Sequence, residues 1–320
     1  MRIVSALAML LLALAPLPAR AAPDLVEVTA APAPESLADQ LAADAKALEQ
    51  PEEQCAADVD ACWRLGSAYA EGDGVDKDEA RAASLFASGC DRDEPSSCIL
   101  LGLAYHEGKG VPKDDAKTAA LFAKACEGGA ATGCSNVGLA YVKGEGVAKD
   151  EKRAAAYFRS ACDNGDSGGC ANLGTAYVKG LGVRRNLRKA LPLYEGACED
   201  GDFNGCFNLG VMHADALGVK RDRPRAAALY ERACDADEAA ACNNLGLFLV
   251  KGKGVEKDSA RGEMLLDKGC TLGSAESCFK LGRIHRTDDP ARAAALLRRA
   301  LEIEPDLAAA KRALAALPRD

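Results

Sequence analysis

Residues that commonly carry chemistry are scarce in this 320-residue chain. It has three histidines, one tryptophan and four methionines, and aromatic residues make up 5% of it. His106, His213 and His285 stand far apart and no C-x2-C pair accompanies them, so the sequence spells no zinc set. Gly-x-Gly recurs, but with no third glycine after a strand pattern and no Gly-Lys-Ser/Thr, which excludes the two common nucleotide cradles. Beyond residue 17 no apolar run is long enough to cross a bilayer. Positive charge is also short: the formal net charge is -8, and no extended basic stripe offers itself to nucleic acid. No cofactor or metal is expected, nor any nucleic acid or inserted membrane partner.

The one sustained apolar run lies at the start. Arg2, then Ile3 to Leu17, then Ala19-Arg20-Ala21 have the charged, hydrophobic and small-x-small parts of a secretory signal, so residues 1–21 are expected to be a signal peptide cut before Ala22. No cysteine follows the cut to carry a lipid. Residues 22–54 read as a flexible Ala/Pro-rich leader followed by an N-terminal helix over 36–50. Acidic charge is concentrated here: residues 35–80 hold 13 acids against 3 bases. Arg184, Arg185, Arg188 and Lys189 form one local basic spot, read as a solvated helix end.

What the chain has in quantity is cysteine. The 14 cysteines fall in pairs at 55/62, 90/98, 126/134, 162/170, 198/206, 234/242 and 270/278. From Cys90 onward the first member of each pair recurs every 36 residues, which marks an internal repeat. The unit reads C-x7-C-x2-L-G-x2-Y-x2-G-x-G-V-x2-D and then continues with helical periodicity. The glycine loop is a turn between two helices, since glycine permits positive φ there. The residue closing it (Asp78, Asp114, Asp150, Asn186, Asp222, Asp258) is a good N-cap for the next helix.

In the second unit helix A is expected over Ser96–Glu107 and helix B over Asp114–Cys126. Glycine recurs in helix A (Gly102, Gly138, Gly174, Gly210, Gly246, Gly282) and a small residue in helix B (Ala82, Thr118, Ala154, Ala190, Ala226, Gly262). These positions are expected where the two helices touch. A mid-helix glycine costs up to about 1 kcal/mol against alanine, so its recurrence points to close backbone approach. One hairpin cannot bury its apolar face alone, and stacked hairpins can; the fold class is therefore all-α, a right-handed α-solenoid. Repeats are expected over 55–289. A helical cap resembling a tetratricopeptide end follows over 290–320, with helices at Pro290–Glu302 and Asp306–Leu317.

In an exported chain, paired cysteines favour disulfides over metal. Pairing Cys62 with Cys90, Cys98 with Cys126 and onward would strand Cys55 and Cys278. Pairing within each pair (Cys55–Cys62, Cys90–Cys98, Cys126–Cys134, Cys162–Cys170, Cys198–Cys206, Cys234–Cys242, Cys270–Cys278) leaves none over. Each bridge would then tie the end of one helix B to the start of the next helix A.

The unit "LGLAYHEGKGVPKDDAKTAALFAKACEGG" resembles a Sel1-like repeat, a relative of the tetratricopeptide repeat, and the added C-x7-C pairs are similar to those of the secreted Helicobacter cysteine-rich protein (Hcp) family. The resemblance covers residues 55–289. It implies disulfides within each pair, a secreted or periplasmic home and a protein or peptide partner bound by a monomer. It also implies an alternative, β-lactamase or penicillin-binding activity of the Hcp type, and more distantly a haem- or redox-related role. The residues give the alternative little: Ser277-Cys278-Phe279-Lys280 forms S-x-x-K, Lys117-Thr118-Ala119 is an imperfect K-T-G, and S-D-N is absent.

The binding reading has a more regular feature. Asn136, Asn172, Asn208 and Asn244 stand two residues after the second cysteine in four successive units. They share one position on helix A and match the Asn-Leu-Gly of tetratricopeptide repeats, where an asparagine ladder holds an extended peptide backbone. An amide both donates and accepts, so it satisfies a peptide group whatever side chain that group carries. Arg64, Leu100 and Lys280 occupy the position in flanking units, which makes the track central.

Overall fold

The computed structural model describes residues 51–318, and among these it has sixteen helices and no strand. In chain order they are α1 (Pro51–Ala57), α2 (Val59–Glu71), α3 (Glu79–Asp91), α4 (Pro95–Glu107), α5 (Asp115–Glu127), α6 (Ala131–Lys143), α7 (Glu151–Asp163) and α8 (Ser167–Lys179). There follow α9 (Leu187–Glu199), α10 (Phe203–Asp215), α11 (Arg223–Asp235), α12 (Ala239–Lys251), α13 (Ser259–Thr271), α14 (Ala275–Ile284), α15 (Pro290–Ile303) and α16 (Ala308–Ala315). The signal peptide expected over 1–21 and the helix expected over 36–50 lie outside the described residues.

From α2 onward, even-numbered helices are A and odd-numbered helices are B, giving seven hairpins from α2–α3 to α14–α15. Each helix packs on the next in sequence, and A helices of successive hairpins also touch one another. The stack is thus an α-solenoid whose A side is the more closely approached side. Helix ends follow local chemistry. Asp78, Asp114, Asp150, Asn186, Asp222 and Asp258 each cap a B helix by accepting a backbone N–H three residues on. Gly72, Gly108, Gly144, Gly180 and Gly252 close the A helices in left-handed conformation, and Ala216 takes that place in the fifth hairpin at φ 59°.

Close approach in the hairpin is between glycine and ring. A Cβ on Gly102, Gly138, Gly174 or Gly210 would lie 2.8, 2.6, 2.8 and 2.7 Å from the rings of Phe122, Phe158, Tyr194 and Tyr230. Only part of the expected small-on-small contact is present. A Cβ on Gly246, Gly282 or Gly210 would lie 2.8, 3.3 and 3.4 Å from the carbonyls of Gly262, Ala293 and Ala226, and the Thr118 hydroxyl donates to the Gly102 carbonyl at 3.1 Å. Elsewhere the small residue of helix B clears the way for the ring one turn later, because an aromatic fills the gap that a second small residue would leave empty.

Seven disulfides join Cys55–Cys62, Cys90–Cys98, Cys126–Cys134, Cys162–Cys170, Cys198–Cys206, Cys234–Cys242 and Cys270–Cys278, and no described cysteine is free. Six of them join the last turn of a B helix to the first turn of the next A helix, and Cys55–Cys62 joins α1 to α2 in the same way. Closing loops this short removes about 2–3 kcal/mol of unfolded-chain entropy per bridge.

The last hairpin departs from the 36-residue spacing. N-caps Asp258 and Asp289 are 31 residues apart because the glycine loop is shortened, yet α15 packs on α14 as its B helix, with Leu297 against Gly282. α16 then covers the open end, burying Ala310 beside Leu297 and Ala300.

Candidate functional site

Each A helix is packed on three sides: against its own B helix, the preceding B helix and the neighbouring A helices. The fourth side carries two parallel rows. The first is Arg64, Leu100, Asn136, Asn172, Asn208, Asn244 and Lys280. The second, three residues further along each helix, is Ser67, Leu103, Leu139, Thr175, Val211, Leu247 and Arg283. Residues three apart on a helix are neighbours on its surface, so amides run beside Leu139, Val211 and Leu247, with the hydroxyl of Thr175, bonded to the Ala171 carbonyl and Tyr194, between them. Leu103 and Leu139 are 38% and 36% exposed, which is unusual for leucine in a packed helix pair. The aliphatic row went unnoticed in the sequence, although its i+3 offset from the asparagines signals it.

All four asparagines are half-buried. The carboxamides of Asn136, Asn172 and Asn208 make no hydrogen bond among the described residues, so their donors and acceptors face outward. Asn244 differs. Its oxygen accepts from Asn243 Nδ2 at 3.2 Å, and its side chain also bonds the Tyr230 hydroxyl, whose pKa burial pushes up to about 12. The fourth rung is therefore tied into the fifth and sixth hairpins.

Ser277 and Lys280 do not form a catalytic pair. The Ser277 hydroxyl is sealed at 0% exposure between α13 and α14, where a Cβ on Gly269 would lie 2.5 Å from it. Lys280 pairs with Glu276 at 2.7 Å. Thr118 has its hydroxyl bonded to the carbonyls of Gly102 and Asp114. A nucleophile needs reach to substrate and a base beside it, and Ser277 has neither.

The histidines stay apart, on α4, α10 and the end of α14. His106 Nδ1 lies 3.5 Å from Asp115, and His285 Nε2 lies 3.3 Å from Glu263. His213 is buried at 6% exposure, and burial, reinforced by the Arg225 charge, holds its pKa below the usual histidine range. It occupies the position of Tyr69, Tyr105, Tyr141 and Tyr177, each of which lies under a cation from the start of its B helix: Arg81, Lys117, Arg153 and Lys189. None of the described His, Cys, Asp and Glu residues gather into a metal-holding group.

Comparison with known proteins identifies the repeat. The sequence profile of the Sel1 repeat matches seven times, at residues 59–94, 95–129, 131–166, 167–202, 204–238, 239–274 and 275–302. Among solved structures, a protective antigen from uropathogenic Escherichia coli strains with an SLR fold matches at 28% identity and TM-score 0.67, over 81% of this chain and 56% of its own length. A Sel1 repeat protein from Oxalobacter formigenes matches at 24% identity and TM-score 0.68, over 75% of this chain and 96% of its own. Cysteine-rich protein B of Helicobacter pylori is 33% identical over 41% of this chain and 93% of its own, with TM-score 0.34. Among curated proteins no sequence matches the chain.

Proposed function

The chain belongs to the Sel1 repeat family, whose repeats serve protein–protein interaction, and on that premise we propose that it is an exported scaffold that binds an extended peptide or protein segment along its A helices. The observation carrying this reading is the free set of carboxamides at Asn136, Asn172 and Asn208, in register on three successive A helices beside Leu139, Thr175 and Val211. An extended backbone presents an N–H and a C=O at every residue, which an outward amide satisfies in pairs. The aliphatic row would take apolar side chains of the ligand. Successive A helices touch, and packed helices lie about 8–10 Å apart, which would put about three ligand residues between rungs.

Seven bridged cysteine pairs support a place of work outside the cytoplasm, because reducing compartments keep thiols open. We place the protein in the periplasm or beyond the cell.

The test is capture of partners from an envelope extract by the oxidised protein and by an Asn172→Ala/Asn208→Ala variant of unchanged melting temperature. The reading predicts that the variant captures its partner at least tenfold less well. Equal capture by both proteins would remove the asparagine row from the binding surface.

A further inference from the structure

The loop edge of the solenoid carries a second surface whose chemistry differs from that of the A-helix rows. In the first three hairpins the lysine near the end of each glycine loop is matched by a carboxylate at the first residue of helix B. The pairs are Lys77–Glu79 at 2.8 Å, Lys113–Asp115 at 3.5 Å and Lys149–Glu151 at 3.3 Å. In the fourth hairpin the equivalent residues are Arg185 and Leu187, and in the fifth they are Arg221 and Arg223. The internal carboxylate is gone from both.

Residues 180–189 hold Arg184, Arg185, Arg188 and Lys189 with no acid. Residues 216–225 hold Lys220, Arg221, Arg223 and Arg225 against Asp222 alone. Two of these cations are engaged elsewhere: Arg225 pairs with Glu195 at 3.3 Å, and Lys189 lies 5.5 Å from the Tyr177 ring centroid. Arg185 donates to the Val178 carbonyl at 3.1 Å. Arg184, Arg188, Lys220, Arg221 and Arg223 have no carboxylate partner within 4.0 Å among the described residues, and all but the half-buried Arg223 are exposed.

The two loops form one continuous ridge because each glycine loop sits on the first turn of the preceding B helix. A Cβ on Gly218 would lie 2.7 Å from Leu187 Cβ, and Gly182 and Gly254 press in the same way on Glu151 and Arg223. A cavity of about 630 Å³, lined by Arg184, Arg185, Asn186, Leu187, Arg188 and Gly218, opens between the fourth and fifth loops. Another of about 710 Å³ joins Arg184 to Lys149 and Lys152.

Clustered cations repel one another, and each is better satisfied by an anion than by its neighbours. Guanidinium groups present a planar fork that grips a carboxylate with two hydrogen bonds. The ridge is short: the flanking loops mix both signs, with Glu145, Asp150 and Glu151 among Lys149, Lys152 and Arg153 on one side and Glu256 and Asp258 among Lys253, Lys257 and Arg261 on the other. A bilayer or a nucleic acid would run across those acids, whereas a short acidic segment would not. We propose that this ridge docks a short acidic polypeptide segment, whose carboxylates take the places that Glu79, Asp115 and Glu151 fill in the first three hairpins.

A fluorescein-labelled decaglutamate peptide serves as the probe, read by anisotropy at 50 and 500 mM NaCl, with phosphatidylglycerol vesicles in parallel. The parent protein should bind the peptide at low salt and lose it at high salt. An Arg184→Glu/Arg188→Glu/Arg221→Glu variant should bind more than tenfold more weakly, and a milder triple glutamine variant should fall between, both with unchanged helical circular dichroism. The Asn172→Ala/Asn208→Ala variant should bind as the parent does. The proposal is overturned if the parent ignores the peptide, if the glutamate variant binds it equally, if the asparagine variant loses it instead, or if vesicles bind and the peptide does not.

Discussion

His213 shows how one residue in a repeat acquires a property that its counterparts lack. Four other hairpins place tyrosine at this position beneath a cation. An imidazole in the same buried niche, with Arg225 opposing a second positive charge and Asp222 and Glu195 acting more weakly the other way, has its pKa pushed down. The folded state then holds His213 neutral where the unfolded chain would protonate it. Stability is complete above the unfolded value of about 6.5 and is lost as pH falls below it. Urea unfolding at pH 7.5 and 5.5 should show the parent losing more stability on acidification than a His213→Tyr variant. Equal losses would mean that the imidazole accepts its proton without penalty.

At the scale of elements, the hairpin is organised by a glycine on helix A and a ring on helix B. Gly138 and Phe158 show the contact, with a Cβ on Gly138 falling 2.6 Å from the ring. Alanine there would gain about 1 kcal/mol of helix propensity yet force the ring aside, and overpacking of this kind costs about 1–3 kcal/mol. Gly138→Ala should therefore lower the melting temperature by a few degrees, whereas alanine at Gly196, which meets nothing within 4 Å, should raise it. A rise at both positions would show that the ring has room to move. Helix boundaries were legible before the structure because asparagine or aspartate caps recur at one register: helix A was expected at Ser96–Glu107 and occupies Pro95–Glu107, and helix B at Asp114–Cys126 occupies Asp115–Glu127. The partner of each glycine was not legible, since periodicity gives the face of a residue and not which neighbour fills it. The engagement of Asn244 was hidden for a related reason: it depends on Asn243, which stands where other hairpins have different residues, and on the Tyr230 hydroxyl of the neighbouring hairpin.

For the whole molecule, repetition makes small departures informative. The rows on the A helices are regular through the centre and give way to Arg64 at one end and to Lys280 and Arg283 at the other. The loop edge is balanced in the first three hairpins and strongly basic in the fourth and fifth. The stack therefore offers two surfaces of different chemistry on one rigid frame, and the bridges hold adjacent hairpins at a fixed spacing. The asparagine positions were legible from their 36-residue recurrence, and the row beside them from its i+3 offset; the freedom of Asn136, Asn172 and Asn208 from internal partners needed coordinates. The central claim, that a peptide lies along the A helices, is tested most directly by photo-crosslinking. A photoreactive residue placed at Asn172, and separately at the exposed Arg159 on helix B, is irradiated with captured partner present. The account predicts a crosslinked adduct at position 172 and none at 159. An adduct at 159 alone would place the partner on the opposite side of the hairpin and contradict it.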